Sequence, residues 1–231
     1  MPGHTDKAFE KDLQMLRDKL LAMGGRAEAM IAESVLCLAE RDSRLGKHVI
    51  ASDAEVNKLE VEVDDLCRRV LALRQPAASD LRFITTALKI VTDLERVGDL
   101  AVNIAERAID LNDSLPMPIY GDLPHLAQLA QTQLKDSLDA FVAGDAERAE
   151  ALLGRDELLD ALFLKLFNDL LALMMEDSKH VRRATNLVFV AKHLERIGDH
   201  AMNIAEMVIY MVRGTDVRHP VSRELHRAHA S

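Results

Sequence analysis

The residues best placed to do chemistry are carboxylates, and they come as a repeated row. Residues 94–106 read LERVGDLAVNIAE and residues 194–206 read LERIGDHAMNIAE, identical at ten of thirteen positions with a spacing of 100. On a helix turning about 100° per residue, with Glu95 at zero, Asp99, Asn103 and Glu106 fall at roughly 40°, 80° and 20°. Leu94, Val97, Ala101 and Ile104 fall on the opposite, apolar face. The acidic stripe is therefore expected to point away from the core, toward solvent or a partner. Glu195, Asp199, Asn203 and Glu206 repeat it.

A second row lies upstream. Asp53, Asn57, Glu60 and Asp64 fall within roughly 60° of one another on their own helix. A hairpin turning near Ala77 would pair the two rows antiparallel, with Glu60 beside Glu95, Asn57 beside Asp99 and Asp53 beside Asn103. In the second half Asp156 and Asp160 would approach Asp199 and Asn203, while Phe163 and Phe167 take the places of Glu60 and Asp64. Like charges four apart destabilise a helix by a few tenths of a kcal/mol per pair. Facing rows cost more, and a bound cation would offset the repulsion. Oxygen-only donors suit Mg²⁺, Ca²⁺ or Mn²⁺, and carboxylate clusters also take iron. The bland alternative is a solvated acidic face; the duplication and the matching helix favour a metal site. His193 and His200 flank only the second copy, well off the stripe, and read as packing or surface residues. Arg96 and Arg196 read as structural ion-pair partners. A glycine inside a helix, as at Gly98 and Gly198, costs about 1 kcal/mol relative to alanine. Close approach of a neighbouring backbone is the expected reason.

These rows need long helices to hold them, and the duplication extends to those helices. At a spacing of 103, Ser34 matches Ser137, Asp42 matches Asp145, Asp53 matches Asp156 and Leu59 matches Leu162. The change of spacing falls between Gln75 and His180, where a loop absorbs it. The expected fold is all-α: two tandem three-helix bundles, six helices in all, related by internal duplication. In the first half the helices are expected at 7–40, 43–73 and 79–111, with a kink at Gly24-Gly25 and a break near Ser52, where Ser52 and Glu55 resemble a capping box. Pro76 ends the second helix. The second half repeats the plan at 123–143, 145–176 and 178–212. Each bundle is large enough for a core of its own. The boundaries are set at 1–117, 118–213 and a basic flexible tail, 214–231.

Composition agrees with helices. Of 231 residues, 48% are apolar and only 3% aromatic, a mixture that supports a core and favours helix over strand. A net charge of -9 disfavours nucleic acid, whose phosphates need Lys and Arg. Cys37 and Cys67 are expected to be buried free thiols. No run of 18 uninterrupted apolar residues occurs, so no direct membrane insertion is expected. The N-terminal MPGHTDKAFEKD has no apolar core for a signal peptide.

The motif LERxGDxAxNIAE, once per half, resembles the PhoU family from about Lys7 to Arg213. The resemblance implies paired three-helix bundles with pseudo-twofold symmetry. It also implies a cytoplasmic negative regulator of phosphate uptake and of the phosphate-starvation response. Its partners would be the ATPase subunit of the phosphate ABC transporter and a sensor histidine kinase, which recruit it to the membrane. As metal ligands it implies Glu95, Asp99, Glu195 and Asp199, with Asn103 and Asn203 nearby. Asp53, Asp156 and Asp160 fit the adjacent helix, and Glu60 joins Asp53 there. Iron leads among the metals implied, with zinc, manganese, magnesium and calcium as alternatives. Asn57 stands where an aspartate is expected, which leaves the first site one charge poorer. No catalytic residue is expected. There is no Glu-x-x-His pair of the inward-facing di-iron type, no P-loop and no Gly-rich phosphate cradle. The remaining readings are a metal-independent helical adaptor and a phosphotransfer module using His193. A monomer and a homodimer fit the sequence equally.

Overall fold

The computed structural model describes residues 7–115 and 121–217. The helices are α1 (Lys7–Ala39), α2 (Ser43–Leu73), α3 (Ala78–Asn112), α4 (Leu123–Ala143), α5 (Ala146–Leu153), α6 (Asp156–Glu176) and α7 (Val181–Arg213); a single 3₁₀ turn, Ser178–His180, leads into α7. No strand occurs among the described residues. The boundary at 117/118 and nearly all of the proposed tail lie outside the described residues.

Local sequence sets the helix ends, and it does so twice. Asp42 opens α2 by accepting a hydrogen bond from the Arg44 amide at 2.9 Å. Its duplicate Asp145 opens α5, accepting from the Glu147 and Arg148 amides at 3.0 and 2.9 Å. Such caps satisfy amides that have no partner inside the helix. Gly144 closes α4 in the left-handed region, at φ 60. Its duplicate is Arg41, which holds φ 54 without being glycine. The Arg41 guanidinium anchors this conformation, donating to the carbonyls of Asn112 and Ser114, each at 2.5 Å. Deeper in the bundles, Ser34 and Ser137 are both buried and donate back to the Ile31 and Leu134 carbonyls at 2.8 and 2.7 Å.

Two expectations about continuity are corrected, at Ser52 and in the second copy, and the Gly24-Gly25 pair finds a packing role. Helix α1 runs unbroken through Gly24-Gly25. Gly24 serves packing: a Cβ there would stand 2.5 Å from Leu138 Cδ1 of α4. Helix α2 runs unbroken through Ser52, which is buried. The break falls in the other copy, between α5 and α6 at Gly154 and Arg155. Gly154 stands where the first half has Ala51, and glycine is the weaker helix former.

The halves pack as α1–α2–α3 and α4–α5/α6–α7, joined along α3–α7 and α1–α4. Helices α3 and α7 run antiparallel: Arg82 Nε donates to the Met211 carbonyl at 3.3 Å, and Asp93 meets His200 at 2.8 Å. Both helices bury residues on two faces, so the apolar side chains of both halves form one continuous cluster. The bundles share a core rather than owning one each. Cys37 and Cys67 are buried and free, as expected.

Candidate functional site

The two halves present carboxylate rows on the pairs α2/α3 and α6/α7. In the first pair, Val56 packs against Gly98, where a Cβ would come within 3.2 Å of Val56 Cγ1. The missing side chain lets α2 settle onto α3 and brings their acids within reach of one another. Glu95 is half-buried, and its carboxyl is pushed above the usual range. Burial is the main cause, followed by Asp99, with Arg96 opposing, and then by Glu60 and Asp53. Asp53 Oδ2 accepts from Asn57 Nδ2 at 2.8 Å. Its Oδ1 is buried with no hydrogen-bond partner among the described residues, an arrangement that costs free energy unless something else binds there. Arg96 is the expected ion-pair residue: Nη1 lies 3.2 Å from Asp99 and Nε 3.4 Å from Glu95.

The second row is more strongly coupled. Asp199 is raised to about 6, first by burial, then by Glu195 and Asp156, with Lys192 opposing and Asp160 adding. Asp156 is raised by burial, Asp160 and Glu195. Like Asp53, Asp156 has a buried Oδ1 with no hydrogen-bond partner among the described residues. Gly198 makes this approach possible: a Cβ there would meet Gln133 Oε1 at 2.8 Å and Leu159 Cδ1 at 3.1 Å. At both glycines the close neighbour is a side chain, not the backbone the sequence suggested.

Eight of the ten sequence-assigned residues belong to two acidic faces. On one face Asp99, Glu60 and Asp53 lie close enough to help raise Glu95, and on the other Glu195, Asp156 and Asp160 help raise Asp199. Asn103 continues the α3 stripe and is exposed. Asn203 departs from expectation. It donates to Asp93 Oδ1 at 3.2 Å, beside His200 Nδ1 at 2.8 Å. That contact ties it to α3. Residues three and four apart progress around a helix, so the end of the stripe reaches a different neighbour. His193 lies opposite Leu100 in the antiparallel register set by Asp93 and His200. Its Nδ1 is buried with no hydrogen-bond partner among the described residues, and burial, with Arg196 and Arg107, lowers its pKa.

Sequence reasoning passed over Lys192. Its Nζ lies 2.6 Å from Glu195 Oε1 and 5.3 Å from the Phe163 ring centroid. The Lys-x-x-Glu spacing was a visible signal. The first copy has Thr92 there, so the two acidic faces differ in charge. Among the described residues no three carboxylate, imidazole or thiol groups converge closely enough to hold a metal ion as the side chains stand. The donor chemistry nevertheless suits a hard cation: oxygen atoms only, an unpartnered carboxylate oxygen on each face, and acids that repel one another.

Fold and faces together define a class: a duplicated helical scaffold with paired carboxylate surfaces. The PhoU domain model matches residues 20–108 and 123–208. The chain is 42% identical over 217 residues to the phosphate-specific transport system accessory protein PhoU homolog of Pseudomonas putida, covering 94% of this chain and 85% of that one. It is 43% identical over 213 residues to the Rhizobium meliloti homolog, covering 92% and 90%. The crystal structure of PhoU from Pseudomonas aeruginosa matches with a TM-score of 0.87 at 42% identity, covering 90% of this chain and all of that one. That of the phosphate transport system regulatory protein PhoU from Streptococcus pneumoniae gives 0.84 at 28% identity, covering 91% of this chain and all of that one. The chain belongs to the PhoU family, a family of accessory and regulatory proteins rather than enzymes.

Proposed function

We propose that this chain is a negative regulator of phosphate uptake and of the phosphate-starvation response, acting by protein–protein binding. Its partners are the ATPase subunit of a phosphate ABC transporter and a sensor histidine kinase. It works in the cytoplasm, at the inner face of the membrane. The observation that carries the reading is the pair of PhoU domains spanning both halves, with relatives named as accessory proteins of the phosphate-specific transport system over more than nine-tenths of the chain. No described helix is long and apolar enough to cross a membrane, so a role at a membrane rests on recruitment.

The acidic faces supply the cation sites of this reading. Asp53, Glu60, Glu95 and Asp99 would hold one, with Asn103 at its edge. Asp156, Asp160, Glu195 and Asp199 would hold the other. Iron, or a divalent ion such as manganese, zinc, magnesium or calcium, would neutralise the facing carboxylates and tie α2 to α3 and α6 to α7. The side chains must turn inward to do so, because they do not converge as they stand. That same fact favours a second reading, an adaptor that needs no metal. Deleting the gene and following a phosphate-starvation reporter in rich phosphate tests the regulatory assignment: the reporter should switch on, and sustained repression would sink it. Complementing with Asp99→Ala/Asp199→Ala separates the two readings, since the metal-free adaptor would restore repression in full.

A further inference from the structure

The duplication builds the same helix junction twice and finishes it differently. In the first half, Arg41 reaches from the close of α1 to the carbonyls of Asn112 and Ser114. Asn112 in turn donates to the Cys37 carbonyl and to Ser43 Oγ at 3.1 and 3.2 Å. Side chains thus bridge the ends of α1 and α3. In the second half Gly144 takes the place of Arg41, and Val212 that of Asn112. Neither can bridge, because Gly144 has no side chain and Val212 has no polar side-chain atom. There the closing turns of α4 and α7 meet α1 and the start of α3 around a cavity of about 560 Å³. That lies within the roughly 300–1,000 Å³ of small-molecule sites. The cavity is about 20 Å along α3 from Glu95, so it is separate from the acidic faces.

The lining selects the occupant. Its floor is the pair Phe83 and Phe141, stacked with ring centroids 5.8 Å apart and only 7% and 3% exposed. Arg17 lies over the Phe83 ring, 4.6 Å from its centroid, so the aromatic faces are already engaged. The rim is aliphatic and open: Leu21, Val142 and Val212 are 39%, 48% and 41% exposed. Two guanidiniums, Arg17 and Arg82, stand on the lining. Arg82 Nε donates to the Met211 carbonyl at 3.3 Å, and neither arginine pairs with a carboxylate among the described residues. Asp80, the single carboxylate among the described lining residues, has a partner of its own. Two guanidiniums against one carboxylate leave the lining net positive. Guanidinium forks match carboxylates in a bidentate geometry, and the rim offers cover to an aliphatic body. The chain's own segment beyond Val217 is a poor match, since Arg218, Arg223 and Arg227 would meet two like charges.

We propose that this cavity is a binding site for a small amphipathic anion, an aliphatic carboxylate whose headgroup sits on Arg17 and Arg82 and whose chain lies along Leu21, Val142 and Val212. The site is independent of metal and of the regulatory role above. Isothermal titration of the full chain with octanoate, in chelator, tests it, with 1-octanol as the uncharged control. Octanoate should bind at one site per chain, and octanol at least tenfold more weakly. Arg17→Gln/Arg82→Gln should weaken octanoate about tenfold or more, as expected for lost hydrogen bonds to a charged group, and leave octanol unchanged. Val212→Trp, which fills the cavity from its rim, should abolish binding of both. An unchanged helical circular dichroism spectrum and urea midpoint confirm that the variants fold; should Arg17→Gln fail that check, Arg82→Gln alone replaces the pair. Absence of octanoate binding, octanol binding as tight as octanoate, or binding indifferent to these changes would overturn the proposal. So would uptake confined to octanoate carried in phosphatidylcholine vesicles, which would assign the two arginines to a membrane surface instead.

Discussion

Asp199→Asn should stabilise the metal-free protein near neutral pH, although it replaces a residue of the most repeated motif in the chain. Asp199 ionises at about 6 in the fold, against about 3.9 for an unperturbed aspartate. Below the unfolded value both states are protonated and the folded state loses nothing. As pH rises from there through the folded value, the unfolded chain gives up its proton first, so stability falls across that window. Taken at face value, a shift of about two units corresponds to about 3 kcal/mol. Asp199 reaches solvent at the surface of α7, and screening reduces the effect to about 1 kcal/mol. Asparagine keeps the shape and removes the charge that Glu195 and Asp156 repel. Urea unfolding in chelator at pH 7.5 should therefore show the variant more stable by about 1 kcal/mol, a gain shrinking to a few tenths at pH 4, where the native carboxyl is protonated. A variant less stable than wild type at pH 7.5, or a gain unchanged at pH 4, would refute the claim that the row stores repulsion.

Other outcomes follow from the same geometry. Saturating Mn²⁺ should raise the unfolding midpoint of the wild type, with about 2.7 kcal/mol gained at a hundredfold excess over the dissociation constant; the gain should disappear in Asp99→Ala/Asp199→Ala. Two adjacent glycines should respond in opposite directions. Gly25→Ala, with nothing within 4 Å, should stabilise α1 by about 1 kcal/mol. Gly24→Ala should cost about 1–3 kcal/mol through its clash with Leu138, and chemical denaturation of the two variants checks both. Cys67 is pushed up to about 12 by burial and by Asp64, and burial also raises Cys37. Neither thiol should react with a thiol reagent at pH 8 until the protein unfolds.

Much of this was legible because the chain writes its plan twice. The start of α2 near Ser43, its stop before Pro76, the span of α4 and the facing of α2 on α3 follow from prolines and a 3.6-residue period, which are properties of short windows. The misreadings share a different cause. Gly24 was read for its effect on its own helix, and its packing against Leu138 was missed because Leu138 lies on another helix. The capping box at Ser52 is overridden by burial, while Gly154 breaks the copy in which no break was expected. Asn203 follows the stripe in sequence but turns to Asp93, a partner 110 residues away. No periodicity reports a contact between α3 and α7. Lys192 was readable from its spacing to Glu195, yet the motif drew attention to what the copies share rather than to where they differ.

In the function proposed above, the paired acidic faces are cation sites. Metal content by mass spectrometry, on wild type purified without chelator and on Asp99→Ala/Asp199→Ala prepared alongside, tests this most directly. The account predicts more than one bound metal ion per chain in the wild type and loss of that metal in the double variant. Substoichiometric metal in both preparations would contradict it and leave the rows as solvated or partner-facing acid.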